Sequence, residues 1–271
     1  MNRESNRRPT ALALCALSVL CVVRAASAAE ISHDFRGRPY DPALFRPTGP
    51  GASLAVQPDS RGLRITLPPE HGSKPAVGVV LRSGFQGDFE ITMDYEILQA
   101  EPTTGGTGAG VSLHITMVSY TREAATIGRL VGTSGEPYFM SHRATTPNGE
   151  KRQHSGGDRF PAPSASGKLR LIRSDSTLTY LVADGDSSEF TEIYETELGV
   201  DDIDMVRLAA DNGESPTLVD ILIKSVSVSA SDAGPPEELP PRPSRWPLWA
   251  GLGAGAVILG GGYCYWRSKV T

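Results

Sequence analysis

Glu90, Asp94 and Glu96 are the residues of this chain best spaced for acid–base work. Their separations are even, and a β-strand turns every second side chain to one face. Two carboxylates held about 5 to 10 Å apart can cleave a glycosidic bond, one as acid and the other as nucleophile or base. Thr92 shares their face. A second alternating run sets Ser112, His114 and Thr116 against Val111, Leu113, Ile115 and Met117. Hydroxyls and an imidazole suit contact with a polar ligand. Glu90, Thr92, Asp94, Glu96, Ser112, His114 and Thr116 together make the candidate binding face, and none is assigned a catalytic role. A solvated polar face is the plainer reading of the same carboxylates.

The remaining motifs point to less. Gly105 to Gly110 imitates a phosphate-cradling loop, but such a loop needs a helix N-terminus after it, and Val111 to Met117 alternates like a strand. His142 and His154 flank a polar loop from Thr145 to Ser166, without the cysteines or carboxylate spacing of a metal centre. Asp184 and Asp186 offer loop oxygens for calcium and no further ligand pattern. No Gly-x-Ser-x-Gly elbow is present. Neither a metal nor a cofactor is expected.

The elements that must position these residues have a period of two. In Gly87 to Leu98 the set Phe89, Ile91, Met93, Tyr95 and Ile97 alternates with Glu90, Thr92, Asp94 and Glu96. Further strands are expected at 61–67, 77–82, 111–117, 138–144, 169–173, 178–182, 190–195, 205–210 and 218–230, separated by Gly, Pro, Asn and Asp clusters. No long helical period interrupts them. About a dozen antiparallel strands predict an all-β, two-sheet sandwich with an apolar interior.

Hydrophobic segments bracket this domain. Residues 1–29 read as a signal peptide: Arg3, Arg7 and Arg8 precede an apolar core from Ala11 to Val23, and small residues place cleavage near Ala28 or Ala29. Residues 247–266 are uncharged over about the length that crosses a bilayer. Aromatic residues stand at both ends, and Arg267 and Lys269 follow in a cytoplasmic tail, 267–271. Gly251 and Gly255 form a small-xxx-small pair that would let two such helices approach in weak dimerisation. Residues 232–246 hold five prolines before the span and read as an extended stalk. The expected location is the cell membrane, single-pass, with the domain on the extracytoplasmic side.

The domain itself, 30–231, carries 18 basic against 27 acidic side chains, a net charge of −9. Such a surface repels nucleic acid and anionic lipid. Cys15, Cys21 and Cys264 all lie outside it, so no disulfide holds it and its stability must come from core burial. Its tryptophan content is nil, because Trp246, Trp249 and Trp266 belong to the membrane segment or its edge. Tyr120, Tyr138, Tyr180 and Tyr194 are left as aromatic platforms for a sugar.

The order of these segments resembles a known family. An opening strand at Ser32 to Gly37, the long strand GDFEITMDYEIL, the hairpin GKLRLIRSDSTLTYLVADG, then VRLAADNG and a closing TLVDILIKSVSVSA are similar to the concanavalin A-like lectin/glucanase jelly roll over about Ile31 to Ala230. Nearest are uncharacterised secreted bacterial domains of that superfamily. The resemblance implies a first strand that pairs with the last. Retaining glucanases of the superfamily carry Glu-x-Asp-x-x-Glu or Glu-x-Asp-x-Glu on one strand, whereas Glu90, Asp94 and Glu96 read Glu-x-x-x-Asp-x-Glu, so the catalytic motif is not matched. The expected function is a membrane-tethered binding or interaction module for carbohydrate or a cell-envelope partner. A divergent glycan hydrolase or lyase, and a structural envelope domain without a small ligand, are the alternatives.

Overall fold

The computed structural model describes residues 29–118, 123–146 and 153–233. Tyr120, the signal-like residues 1–28, the stalk beyond Ala233 and the segment 247–266 with Gly251 and Gly255 lie outside these residues. Among the described residues no helix is long and apolar enough to cross a membrane. The described strands are, in chain order, β1 (Ala29–Asp34), β2 (Phe45–Thr48), β3 (Val56–Asp59), β4 (Gly62–Leu67), β5 (Val77–Leu81), β6 (Phe85–Ala100), β7 (Ala109–Met117), β8 (Ala124–Val131), β9 (Pro137–Thr145), β10 (Gln153–Ser155), β11 (Phe160–Pro161), β12 (Ser166–Ser174), β13 (Thr177–Asp184), β14 (Thr191–Glu197), β15 (Ile203–Asp211) and β16 (Val219–Ala233). One short helix, α1 (Ala52–Ala55), and a 3-10 turn at Pro69–His71 complete them.

Every strand pairing is antiparallel, and the strands form two layers. Sheet I runs β14-β13-β12-β6-β16, and the outer edge of β16 is shared by β4 and β1. Sheet II runs β9-β8-β7-β15-β5-β2, with β10 and β11 along the edge of β9. Only Ile203 opposite Phe85 bridges β15 to β6. The first and last strands pair as expected, with Ala29 opposite Ala230 and Asp34 opposite Ser225. Strand β16 continues to Ala233, so the described chain enters and leaves at one end of the sandwich.

Alternation explains the packing. Phe89, Ile91, Met93 and Tyr95 of β6 meet Val111, Leu113 and Ile115 of β7 and Val206, Leu208 and Ala210 of β15 in one buried cluster. At about 25 cal/mol per Å² of apolar surface, burial on this scale is the main stabilising term in a domain without disulfides. Strand β8 was not foreseen. Its sequence, AATIGRLV, is buried on both faces, so it lacks the polar alternation that marks a half-buried strand.

One charged side chain is buried to tie loops together. Arg173, 1% exposed, donates to the carbonyls of Gly87, Gly199 and Asp201 and packs over the Phe89 ring. Arg173→Ala would strand these carbonyls. It is expected to lower unfolding free energy by about 3 kcal/mol in urea titrations, with Arg173→Lys recovering only part of it.

Candidate functional site

The expected binding face divides between the two sheets. Strand β6 buries Phe89, Ile91, Met93 and Tyr95, which turns Glu90, Thr92, Asp94 and Glu96 to the outer face of sheet I. Strand β7 buries Val111, Leu113 and Ile115 against them, which turns Ser112, His114 and Thr116 to the outer face of sheet II. Sheets pack about 10 Å apart, so the two groups look away from each other across the sandwich. The expectation of one face is corrected to two.

On sheet I the carboxylates are largely matched by cations. Glu90 lies 3.2 Å from Arg170 Nη1, and Glu96 lies 3.3 Å from Arg61 and 3.4 Å from Lys224. Thr92 accepts a hydrogen bond from Arg170 Nε at 2.8 Å, and the Arg170 guanidinium stacks on Phe190. Asp94 is half-buried, and burial pushes its carboxyl above the usual range although Lys224, Lys168 and Arg36 pull the other way. The neighbouring serines, Ser225, Ser227 and Ser229, stand opposite Asp94, Thr92 and Glu90 on β16. This is an ion-paired outer surface.

The outer face of sheet II differs in kind. Ser112 is opposite Gly128 on β8 and Ala209 on β15, and Ala209 is opposite Gly78 on β5. All four are buried, yet none belongs to the core cluster, so this row is a floor of small residues sheltered from solvent. Gly78 is held so close to β15 that a Cβ would strike the Leu208 carbonyl. The next row is polar: His142, Thr126, His114 and Arg207 lie side by side on β9, β8, β7 and β15. His114 Nδ1 is 2.7 Å from Thr126 Oγ1, and Thr116 donates to Asp204. His142 Nε2 and His154 Nδ1 stand 3.0 Å apart with their rings stacked. Burial lowers the pKa of Arg207, against the pull of Asp211.

Thr126 and Arg207 are the members that sequence reading missed. The parity of Leu208 and Ala210 was legible and puts Arg207 on the polar side of its strand, but strand order was not. On the β7, β8 and β15 strands of this face the carboxylates are Asp204 and Asp211, seven residues apart along β15, or about 23 Å. That is far beyond the separation that hydrolysis needs. Asp211 accepts the Gly213 N–H, and Asp184 is held by Ser164. Among the described residues no three His, Cys, Asp or Glu side chains converge as for a metal ion. Of the tyrosines, Tyr180 is a core residue donating to the His142 carbonyl, with Tyr194 packed beside it. Tyr138 donates to the Thr107 carbonyl under the Arg159 guanidinium. It borders a cleft of about 460 Å³ with Glu136, Pro161 and Pro163.

A family model described as "Protein of unknown function (DUF1583) C domain" matches residues 11–238. The chain belongs to the DUF1583 C-domain family. No curated protein matches its sequence. Among solved structures, this DUF1583 C domain is similar to LamAcat from Zobellia galactanivorans, at 13% identity and TM-score 0.50 over 73% of this chain and 96% of that one. It is also similar to Rv0315 of Mycobacterium tuberculosis, an immunostimulatory antigen and pseudo β-1,3-glucanase, at 11% identity and TM-score 0.51 over 74% and 98%. The GH43 protein BlXynB of Bacillus licheniformis aligns at 11% identity and TM-score 0.53 over 73% of this chain and 39% of that one. These likenesses establish the fold, the concanavalin A-like jelly roll.

The raised pKa of Asp94 has a signed consequence for the DUF1583 C domain. A carboxyl whose folded pKa exceeds its unfolded value favours the fold while protonated, and that advantage is lost as pH rises through the folded value. Asp94→Asn should therefore melt at a higher temperature than wild type at pH 7. The gap should close below about pH 4, where Asp94 is protonated in both states.

Proposed function

We propose that this chain is a membrane-tethered, extracytoplasmic glycan-binding module that does not hydrolyse its ligand. The observation that carries the reading is the sheltered face of sheet II, where Ser112, His114, Thr116 and Thr126 offer donors and acceptors over a floor of small residues. A sugar presents hydroxyls that such groups can pair. The wide separation of Asp204 and Asp211 argues against hydrolysis there. A pseudo β-1,3-glucanase on the same fold agrees with a non-hydrolytic use.

The tether reading rests on the terminal segments and gains from the strand order. Ala29 and Ala233 leave at the end of the sandwich marked by Phe85, while the clefts bordered by Tyr138 and by Leu54, His71 and Lys74 lie at the opposite end. A stalk at Ala233 would thus present the far end and both outer faces to the surroundings.

The test is a glycan array followed by calorimetry with the full chain in detergent. His114→Ala should weaken glycan binding at least tenfold, equivalent to about 1.4 kcal/mol. Glu96→Gln, on the other sheet, should leave it unchanged, and no reducing ends should accumulate. Equal weakening by both variants would move the site to sheet I, and absence of binding at millimolar glycan would leave a structural envelope domain.

A further inference from the structure

Among the described residues, Arg129, Arg143 and Arg207 each keep a buried Nε without a hydrogen-bond partner. The first two have other partners, Arg129 the Ala162 carbonyl and Arg143 the Glu123 carboxylate, as Arg173 has three carbonyls, Arg64 has Asp220 and Arg170 has Glu90 and Thr92. Arg207 is part-buried on the sheltered face of sheet II, between His114 and Val80, and its Nε is buried with no hydrogen-bond partner. Among the described residues no carboxylate pairs with it. Asp211, the acid that acts on it, lies four residues along the same strand, about 13 Å away in Cα terms, and is already engaged by the Gly213 N–H. Guanidinium stays charged at any physiological pH, so burial cannot be relieved by losing the proton.

A part-buried charge without a partner in the fold is costly, and a ligand is one thing that can complete it. The planar guanidinium is shaped to clasp a carboxylate or sulfate through two parallel N–H donors. Arg46 stands on the same row two strands away, about 10 Å off, with Val80 between. Two cations along one row suit a repeating polyanion better than a single small acid. The domain as a whole is acidic, so a polyanion would be repelled everywhere except at a face of this kind.

We propose that the sheltered face of sheet II recognises an acidic polysaccharide, with Arg207 clasping its carboxylate or sulfate groups while Ser112 and His114 meet neighbouring hydroxyls. This rests on the glycan-binding reading and names the class of glycan.

Affinity electrophoresis of the full chain in detergent tests it, with alginate as the carboxylate probe, carrageenan as the sulfate probe and laminarin as the neutral one. Wild type should bind alginate or carrageenan at least tenfold more tightly than laminarin, with affinity falling as salt rises. Arg207→Gln should bring acidic-glycan binding down to the laminarin level, and Arg207→Lys should lie between. The melting temperature of Arg207→Gln should not fall, because a part-buried cation without a partner in the fold has been removed; should that variant fail to fold, the step from wild type to Arg207→Lys decides. Unchanged acidic-glycan binding in the Arg207 variants overturns the proposal. Equal binding of laminarin and alginate also overturns it while leaving glycan binding intact, whereas failure of all three probes removes both readings together.

Discussion

The constraint on which the rest of this molecule depends is that each strand can turn only one parity into the interior between the sheets. Long strands β6 and β16 pair along most of their length, and β6 gives its odd-numbered side chains to the core. Everything even-numbered on β6 then faces outward, whether or not it has work to do. On β7 the same rule operates from the opposite layer. The sandwich therefore has two outer surfaces with independent characters, one ion-paired and one sheltered over small residues.

Without cysteines in the domain, connections between the layers fall to buried polar groups. Arg173 draws the start of β6 and the turn after β14 onto strand β12, and Tyr180 reaches from sheet I to the His142 carbonyl in sheet II. Arg129 and Tyr95 bring further polar atoms inside, and burial lowers the first pKa and raises the second. Arg173 and Tyr180 repay their desolvation in specificity, because a slipped register would leave them unsatisfied.

Much of the fold was legible in the sequence. The strand Phe85–Ala100 announces itself by strict alternation and the hairpin around Asp175 by a looser one, since one face is apolar and the other wet. Strand β8 did not, because both its faces are hidden and its composition is small and mixed. The short β2 and β3 carry prolines, Pro47 and Pro58, that mask them. Side-chain parity at the candidate site was also legible, as at Glu90 and His114. What alternation cannot tell is whether successive strands pair within a sheet or cross between sheets. The connection 101–108 between β6 and β7 is longer than a tight hairpin turn, and that length is the trace of a crossover.

The pairing of the last strand has a mechanical meaning. Strand β16 is hydrogen-bonded to β6 on one edge and to β4 and β1 on the other, nearly to its final residue. Tension applied at Ala233 along the strand would load those ladders in parallel, by shear, instead of opening them one rung at a time. Because β1 lies alongside, the opening segment of the chain braces the point where force would enter. A domain built this way is suited to being held by its C-terminal end while something pulls on its surface.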